Sequence, residues 1–148
     1  MEREKYMSLA LELAREAADA GEVPVGCVVV DKDGRVIGRG RNRREEIGDA
    51  TAHAEVEAIR QACAELGDWR LDSCAIYVTL EPCPMCAGAI INSRIATVVF
   101  GARERLSGSC GSVIDLFSEG YGHHPAVYPG VFGDDCAELL QSFFRGKR

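Results

Sequence analysis

Apolar residues recur along the chain with two different periods, and the switches between them mark out the elements. From Glu2 to Ala20 they fall at Tyr6, Leu9, Leu13 and Ala17, with Ala10 and Ala14 beside them and Glu and Arg opposite. That spacing predicts an amphipathic helix, closed by Gly21 and Pro24. Gly26 to Val30 is a β-branched run, Asp31-Lys32-Asp33-Gly34 a turn, and Val36 to Gly38 extended again, which predicts a hairpin. The unbroken apolar character of Val28 to Val30 predicts a strand covered on both faces. After a polar loop, Val56, Ile59 and Cys63 give helical spacing over Ala52 to Leu66.

Cys74 to Leu80 reads as a strand running straight into Glu81-Pro82-Cys83-Pro84-Met85-Cys86. Pro84 suits the first turn of a helix that continues through Ile91. Ile95 to Phe100 is strand-like, Gly101 to Gly111 a loop, Ser112 to Phe117 a short helix, and Gly120 to Gly133 is rich in Gly and Pro. Leu139, Leu140, Phe143 and Phe144 predict a closing helix over Asp134 to Arg145. The order of elements predicts an α/β fold with helices packed on a mixed sheet. Residues 1–148 read as one domain without an internal repeat.

Composition narrows the classes of function. With 47% hydrophobic and 27% charged residues, the chain has the balance of a soluble globular protein, and extensive disorder is excluded. There is no apolar run of about 18 residues, so no membrane partner is expected. The N-terminus has no secretory pattern, and the expected location is cytoplasmic. Seven cysteines in such a chain argue against a disulfide framework. The formal net charge is −6, so any contact with nucleic acid must come from local patches. Two basic stretches qualify: Arg39, Arg41, Arg43 and Arg44 around Asn42, and Arg145, Lys147 and Arg148 at the end.

Two short motifs carry chemistry: His53-Ala54-Glu55 and Pro82-Cys83-Pro84-Met85-Cys86. Cysteines three apart at a helix start present both sulfurs on one face, where they can share an ion. The helix N-terminus favours their thiolate form. His53 can supply a third ligand, and two thiolates with one imidazole suit Zn2+. Residues two apart on a regular helix point about 200° away from each other. His53 and Glu55 therefore converge only in an irregular first turn, with Asp49 and Thr51 as its expected caps. Two thiolates cancel the charge of the ion, which makes it a weaker acid than one held by three histidines. A nearby proton acceptor is then needed, and Glu55 is the candidate catalytic residue.

Three protein ligands and one open position describe a catalytic zinc. A closed structural site would draw a fourth ligand from Cys63, Cys74, Cys110, Cys136, His123 or His124. A strand feeding Cys-x-x-Cys at a helix start also describes a dithiol redox site. A non-catalytic, zinc-stabilised RNA-binding module is a further alternative. Asn42, taken alone, reads as a turn residue satisfying its own backbone.

The chain resembles the zinc-dependent nucleobase deaminases, whose signature is H-x-E…P-C-x-x-C. Glu22-Val23-Pro24-Val25-Gly26, Arg41-Asn42-Arg43, Thr51 to Glu55, Tyr77 to Cys83, Met85 to Ile90, Ser93-Arg94-Ile95, Val98 to Ala102 and Phe143-Phe144-Arg145 look like the bacterial tRNA adenosine deaminases of the TadA type, in family order. The resemblance implies a three-layer α/β/α cytidine-deaminase-like fold, a homodimer, and one zinc per subunit held by His53, Cys83 and Cys86. It implies hydrolysis of adenosine to inosine at the wobble position (34) of a tRNA anticodon stem-loop, with Glu55 shuttling the proton and Asn42 bonding the flipped base. Glu104 and Arg145 are further candidate substrate contacts. The family pattern usually has Asp at Glu104, Lys at Leu106, Asn before His123 and an aromatic residue at Arg41. These departures keep open a free base or nucleoside, of the guanine or cytosine type, as substrate.

Overall fold

The computed structural model describes residues 2–146. Its strands are β1 (Gly26–Val30), β2 (Val36–Arg41), β3 (Ala75–Leu80), β4 (Thr97–Ala102) and β5 (Ala126–Tyr128). They form one sheet in the order β2-β1-β3-β4-β5. β1 is antiparallel to both β2 and β3, whereas β3, β4 and β5 run parallel, so the sheet is mixed. The helices are α1 (Glu2–Asp19), α2 (Arg44–Ile47), α3 (Ala54–Leu66), α4 (Pro84–Ser93) and α5 (Gly133–Arg145).

Helices cover both faces, giving the three α/β/α layers. On one side Met7, Ala10, Leu11 and Cys136, from α1 and α5, pack with Val28, Val30, Tyr77 and Val99. On the other, Ala54, Ala58, Ala87 and Ile90, from α3 and α4, pack with Cys27, Val29, Ile76, Val78 and Val98. Successive residues of β1 thus point into opposite cores, which is why its sequence shows no polar alternation. Each fully buried valine contributes about 1.5–3 kcal/mol relative to exposure.

Two glycines let α3 lie against β2. A Cβ at Gly38 would stand 2.1 Å from the Ala58 carbonyl oxygen, and one at Gly40 2.2 Å from that of Ala54. The absence of side chains there brings the first turn of α3 down to the sheet beside the C-terminal end of β3.

Three local expectations are corrected. The polar loop before α3 contains the helix α2, whose first turn is held by a carboxylate far away in sequence. The Gly- and Pro-rich segment contains β5, only three residues long and paired to β4. Between Ser112 and Phe117 no full helix forms, because the Cys110 and Ser112 N–H groups are taken by Glu81; only a 3-10 turn at Leu116–Ser118 follows. Among the described residues, no helix is long and apolar enough to cross a membrane.

Candidate metal centre and substrate pocket

Two helix N-termini meet at the carboxyl end of β3. α3 starts at Ala54, and His53 is its N-cap in an extended conformation, φ −84° and ψ 154°. α4 starts at Pro84, and Cys83 is its N-cap, φ −76° and ψ 175°. Neither side chain makes a capping hydrogen bond to its helix, which leaves imidazole and sulfur available to turn toward each other and toward Cys86. Cys86 lies one turn into α4, beneath Cys83. The expected caps Asp49 and Thr51 do not perform that role. Asp49 accepts the N–H and the hydroxyl of Thr51 at 2.8 and 2.7 Å, closing a local turn before His53. His53 and Glu55 converge because His53 precedes the helix altogether.

His53 Nδ1 lies 3.7 Å from Cys83 Sγ and 3.5 Å from Cys86 Sγ. All three donor atoms are within 4.8 Å of one another. For Zn–S near 2.3 Å and Zn–N near 2.05 Å, tetrahedral geometry puts neighbouring N and S corners about 3.6 Å apart. The cluster therefore fits Zn2+ in both ligand chemistry and spacing. Among the described residues no fourth His, Cys, Asp or Glu joins it. The candidates for a closed site are engaged elsewhere or buried apart: His123 Nε2 bonds the Ile95 carbonyl at 2.7 Å and His124 Nδ1 that of Phe117 at 2.5 Å. Cys63, Cys74, Cys110 and Cys136 are free thiols outside the group, held in the protonated form by burial.

The electrostatics separate the two sulfurs. The neighbouring Cys86 thiol, aided by His53 and opposed by burial, draws Cys83 down to about 4, so it is a ready thiolate. Cys86 is pushed up by that same partnership and by burial. The Cys83 sulfur raises His53, outweighing burial. Glu55 is buried, and desolvation pushes its carboxyl up to about 7. A carboxyl in that range can both take and return a proton near neutral pH.

A cavity of about 170 Å³ opens over this cluster, lined by Val23, Val25, Asn42, Arg44, His53, Glu55, Glu104 and Ser107, among others. It is smaller than the ~300–1,000 Å³ of drug-sized sites, a space for one planar ring. Asn42 is buried at its wall; its Nδ2 donates to the Val23 carbonyl at 3.3 Å and its Oδ1 accepts the Arg44 N–H at 3.1 Å. The turn function read for it is present, and the cavity wall is added to it. Glu104 lines the opposite side and its Oε1 accepts the Leu106 N–H at 3.0 Å.

Arg145 is not brought to the cavity: it lies in the last turn of α5, paired with Glu138 at 3.2 Å. Lys147 and Arg148 lie outside the described residues. Of the arginines around Asn42, Arg41 and Arg43 both bond Glu46 at 2.8 Å, whereas Arg44 faces the cavity. Sequence reasoning assigned no role to two buried carboxylates, Glu22 and Glu81, that bound this site. Their only signal was a charge beside an apolar run, and their partners are backbone groups that carry no residue identity.

Residues 1–102 match the family model of the cytidine and deoxycytidylate deaminase zinc-binding region. The chain is 50% identical over 142 residues to the tRNA(Ile)-lysidine synthase of Deinococcus deserti, which covers 96% of this chain and 27% of that protein. It thus spans about a quarter of that relative's length. It is 49% identical over 148 residues to the tRNA-specific adenosine deaminase of Agrobacterium fabrum, covering 99% of this chain and 97% of the relative. Among solved structures it is similar, at a TM-score of 0.88 and 47% identity, to one from a study of A-to-I editing by tRNA:A34 deaminases at the wobble position. That match covers 92% of this chain and 99% of the other.

Proposed function

From a chain that belongs to the cytidine and deoxycytidylate deaminase family, and within it to the tRNA-specific adenosine deaminases, we propose that the reaction is hydrolytic conversion of adenosine to inosine at position 34 of a tRNA anticodon. The observation that carries this reading is the His53, Cys83 and Cys86 cluster with an unligated, buried Glu55 beside it at the floor of a ring-sized cavity.

His53 Nδ1, Cys83 Sγ and Cys86 Sγ would hold one zinc per subunit. Zinc so held supplies the Lewis acidity that makes water nucleophilic at neutral pH. The protein's own part is proton transfer and placement. Glu55 takes a proton from the attacking water, passes one to the ring nitrogen next to the amino-bearing carbon, and then serves the departing amine. Adenosine and water give inosine and ammonia, and Glu55 ends as it began. Asn42 has a second amide N–H to offer the flipped base, and Arg44 brings positive charge to the mouth for phosphate. An anticodon loop is already single-stranded, so extruding one base costs a few kcal/mol or less. The reading includes residues 1–148 acting as one deaminase domain, a homodimer and a cytoplasmic setting.

The test is incubation of zinc-loaded protein with an adenosine-34 anticodon stem-loop. Inosine at that position supports the reading; fully loaded protein that makes none contradicts it. Ammonia release from a panel of free bases and nucleosides separates the small-molecule alternative.

A further inference from the structure

The cavity is bounded by two irregular lips, and each hangs from a buried carboxylate outside the metal cluster. Glu22, in the loop before β1, is 2% exposed and accepts the N–H groups of Glu45 at 3.1 Å and Glu46 at 2.6 Å. It thereby holds the first turn of α2, next to Asn42 and Arg44. Glu81, just after β3, is also 2% exposed and takes four donors on two oxygens. Its Oε1 accepts the Glu104 N–H at 3.1 Å and the Ser112 hydroxyl; its Oε2 accepts the N–H groups of Cys110 and Ser112, each at 3.0 Å. That gathers the opposite lip, with Glu104 and Ser107 on it.

Among the described residues neither carboxylate has a cation within ion-pair distance. Burying a carboxylate without a cation is costly unless N–H or O–H donors satisfy it, so each lip is tied as tightly as that demand. The second lip also closes directly over its anchor. A Cβ at Gly108 would fall 2.5 Å from Glu81 Cδ and 2.3 Å from the Glu104 carbonyl oxygen.

We propose that Glu22 and Glu81 are positioning residues: a pair of buried carboxylates that fix the two lips of the cavity at the separation an extruded nucleotide needs. This rests on the reading of the cavity as a nucleotide site. A glutamine at either position turns one acceptor oxygen into a donor facing N–H groups, so a lip loosens while the cluster of His53, Cys83 and Cys86 stays in place. Substrate engagement suffers, and the chemical step suffers less.

The experiment compares Glu22→Gln, Glu81→Gln and Gly108→Ala with the wild-type protein, zinc-loaded and full-length. Amide hydrogen exchange is expected to quicken about tenfold or more at Glu45 and Glu46 in Glu22→Gln, and at Glu104, Cys110 and Ser112 in the other two. KM for the adenosine-34 stem-loop is expected to rise about tenfold or more, with kcat within about threefold of wild type and zinc content unchanged. Gly108→Ala keeps the carboxylate and displaces the loop, and so carries the expectation even if Glu81→Gln fails to fold. Unchanged exchange, loss of zinc, or a fall in kcat at constant KM overturns the proposal. If wild-type protein makes no inosine at all, the functional reading falls, and the exchange measurement still decides whether these carboxylates hold the lips.

Discussion

His53 and Cys83 stand at equivalent places in two different helices, each the extended N-cap residue, with Nδ1 of one 3.7 Å from Sγ of the other. An N-cap side chain ordinarily folds back on its own helix to satisfy an N–H. Here both are diverted outward, and the positive ends of two helices converge on the thiolate they share with Cys86. The same start of α3 carries Glu55 two residues further on, buried and outside the ligand set.

Glu55→Ala is expected to lower deamination by several orders of magnitude while zinc content stays at wild type. Burial already disfavours the Glu55 carboxylate, so thermal stability is expected to hold or rise slightly. Parallel inosine assay, metal analysis and melting check this. Residual activity within about tenfold of wild type would assign the proton transfer elsewhere.

Cys83→Ala removes the sulfur that its Cys86 and His53 partners, against burial, hold most readily as thiolate, and is expected to leave the protein without stoichiometric zinc. Chelation of the wild-type protein is expected to lower its melting temperature. A metal present at 100 times its Kd stabilises the folded state by about 2.7 kcal/mol. Calorimetry with and without chelator measures the difference.

Gly40→Ala places a Cβ 2.2 Å from the Ala54 carbonyl oxygen, a backbone atom in the first turn of α3. The expected cost is about 1–3 kcal/mol of stability, with weakened zinc retention because His53 moves with that turn. Urea unfolding and metal analysis on the same sample check both parts.

The chemistry was more legible in the sequence than the pocket around it. His53, Cys83 and Cys86 announce themselves because metal ligation needs particular side chains at particular spacings. Strands β1, β3 and β4 announce themselves because burial on two faces needs runs of valine and isoleucine. Helix α2 and strand β5 escaped notice for the opposite reason: one has four residues and the other three, too short for any period, and tertiary contacts hold both. Asp49 and Thr51 misled because their side chains suit a cap, yet they satisfy each other. Glu22 and Glu81 gave only the faint signal of a charge beside an apolar run, since a carboxylate that binds backbone N–H groups more than 20 residues away has no sequence partner to match.

Glu46 restrains two arginines beside the cavity, Arg41 and Arg43. Glu46→Gln is expected to release Arg41 and to leave Arg43 only its looser pair with Glu57 at 3.8 Å, tightening stem-loop binding at low salt and steepening its salt dependence. Each added phosphate contact steepens the slope of log K against log salt by about 0.7 for a single strand. Titrations at several salt concentrations read that slope; an unchanged slope would place both arginines outside the RNA path.

Acid stability has an identifiable contributor in the β1–β2 turn. The Arg35 N–H lowers Asp31 most, against some burial, with further help from the Asp33 N–H and the Arg35 side chain. A depressed folded value means the contribution is complete above the ordinary carboxylate pKa of about 4 and is lost as pH falls through the lower folded value. Asp31→Asn is therefore expected to be less stable at neutral pH and to lose less on acidification. Urea midpoints between about pH 2 and 6 test it; parallel curves for the two proteins would contradict it.

X-ray absorption at the zinc edge, on zinc-loaded protein, tests the central claim most directly. The predicted result is one zinc bound by one imidazole nitrogen and two sulfurs, with a single light atom from solvent completing four ligands. A third sulfur, a second imidazole, or no stoichiometric zinc would contradict the account.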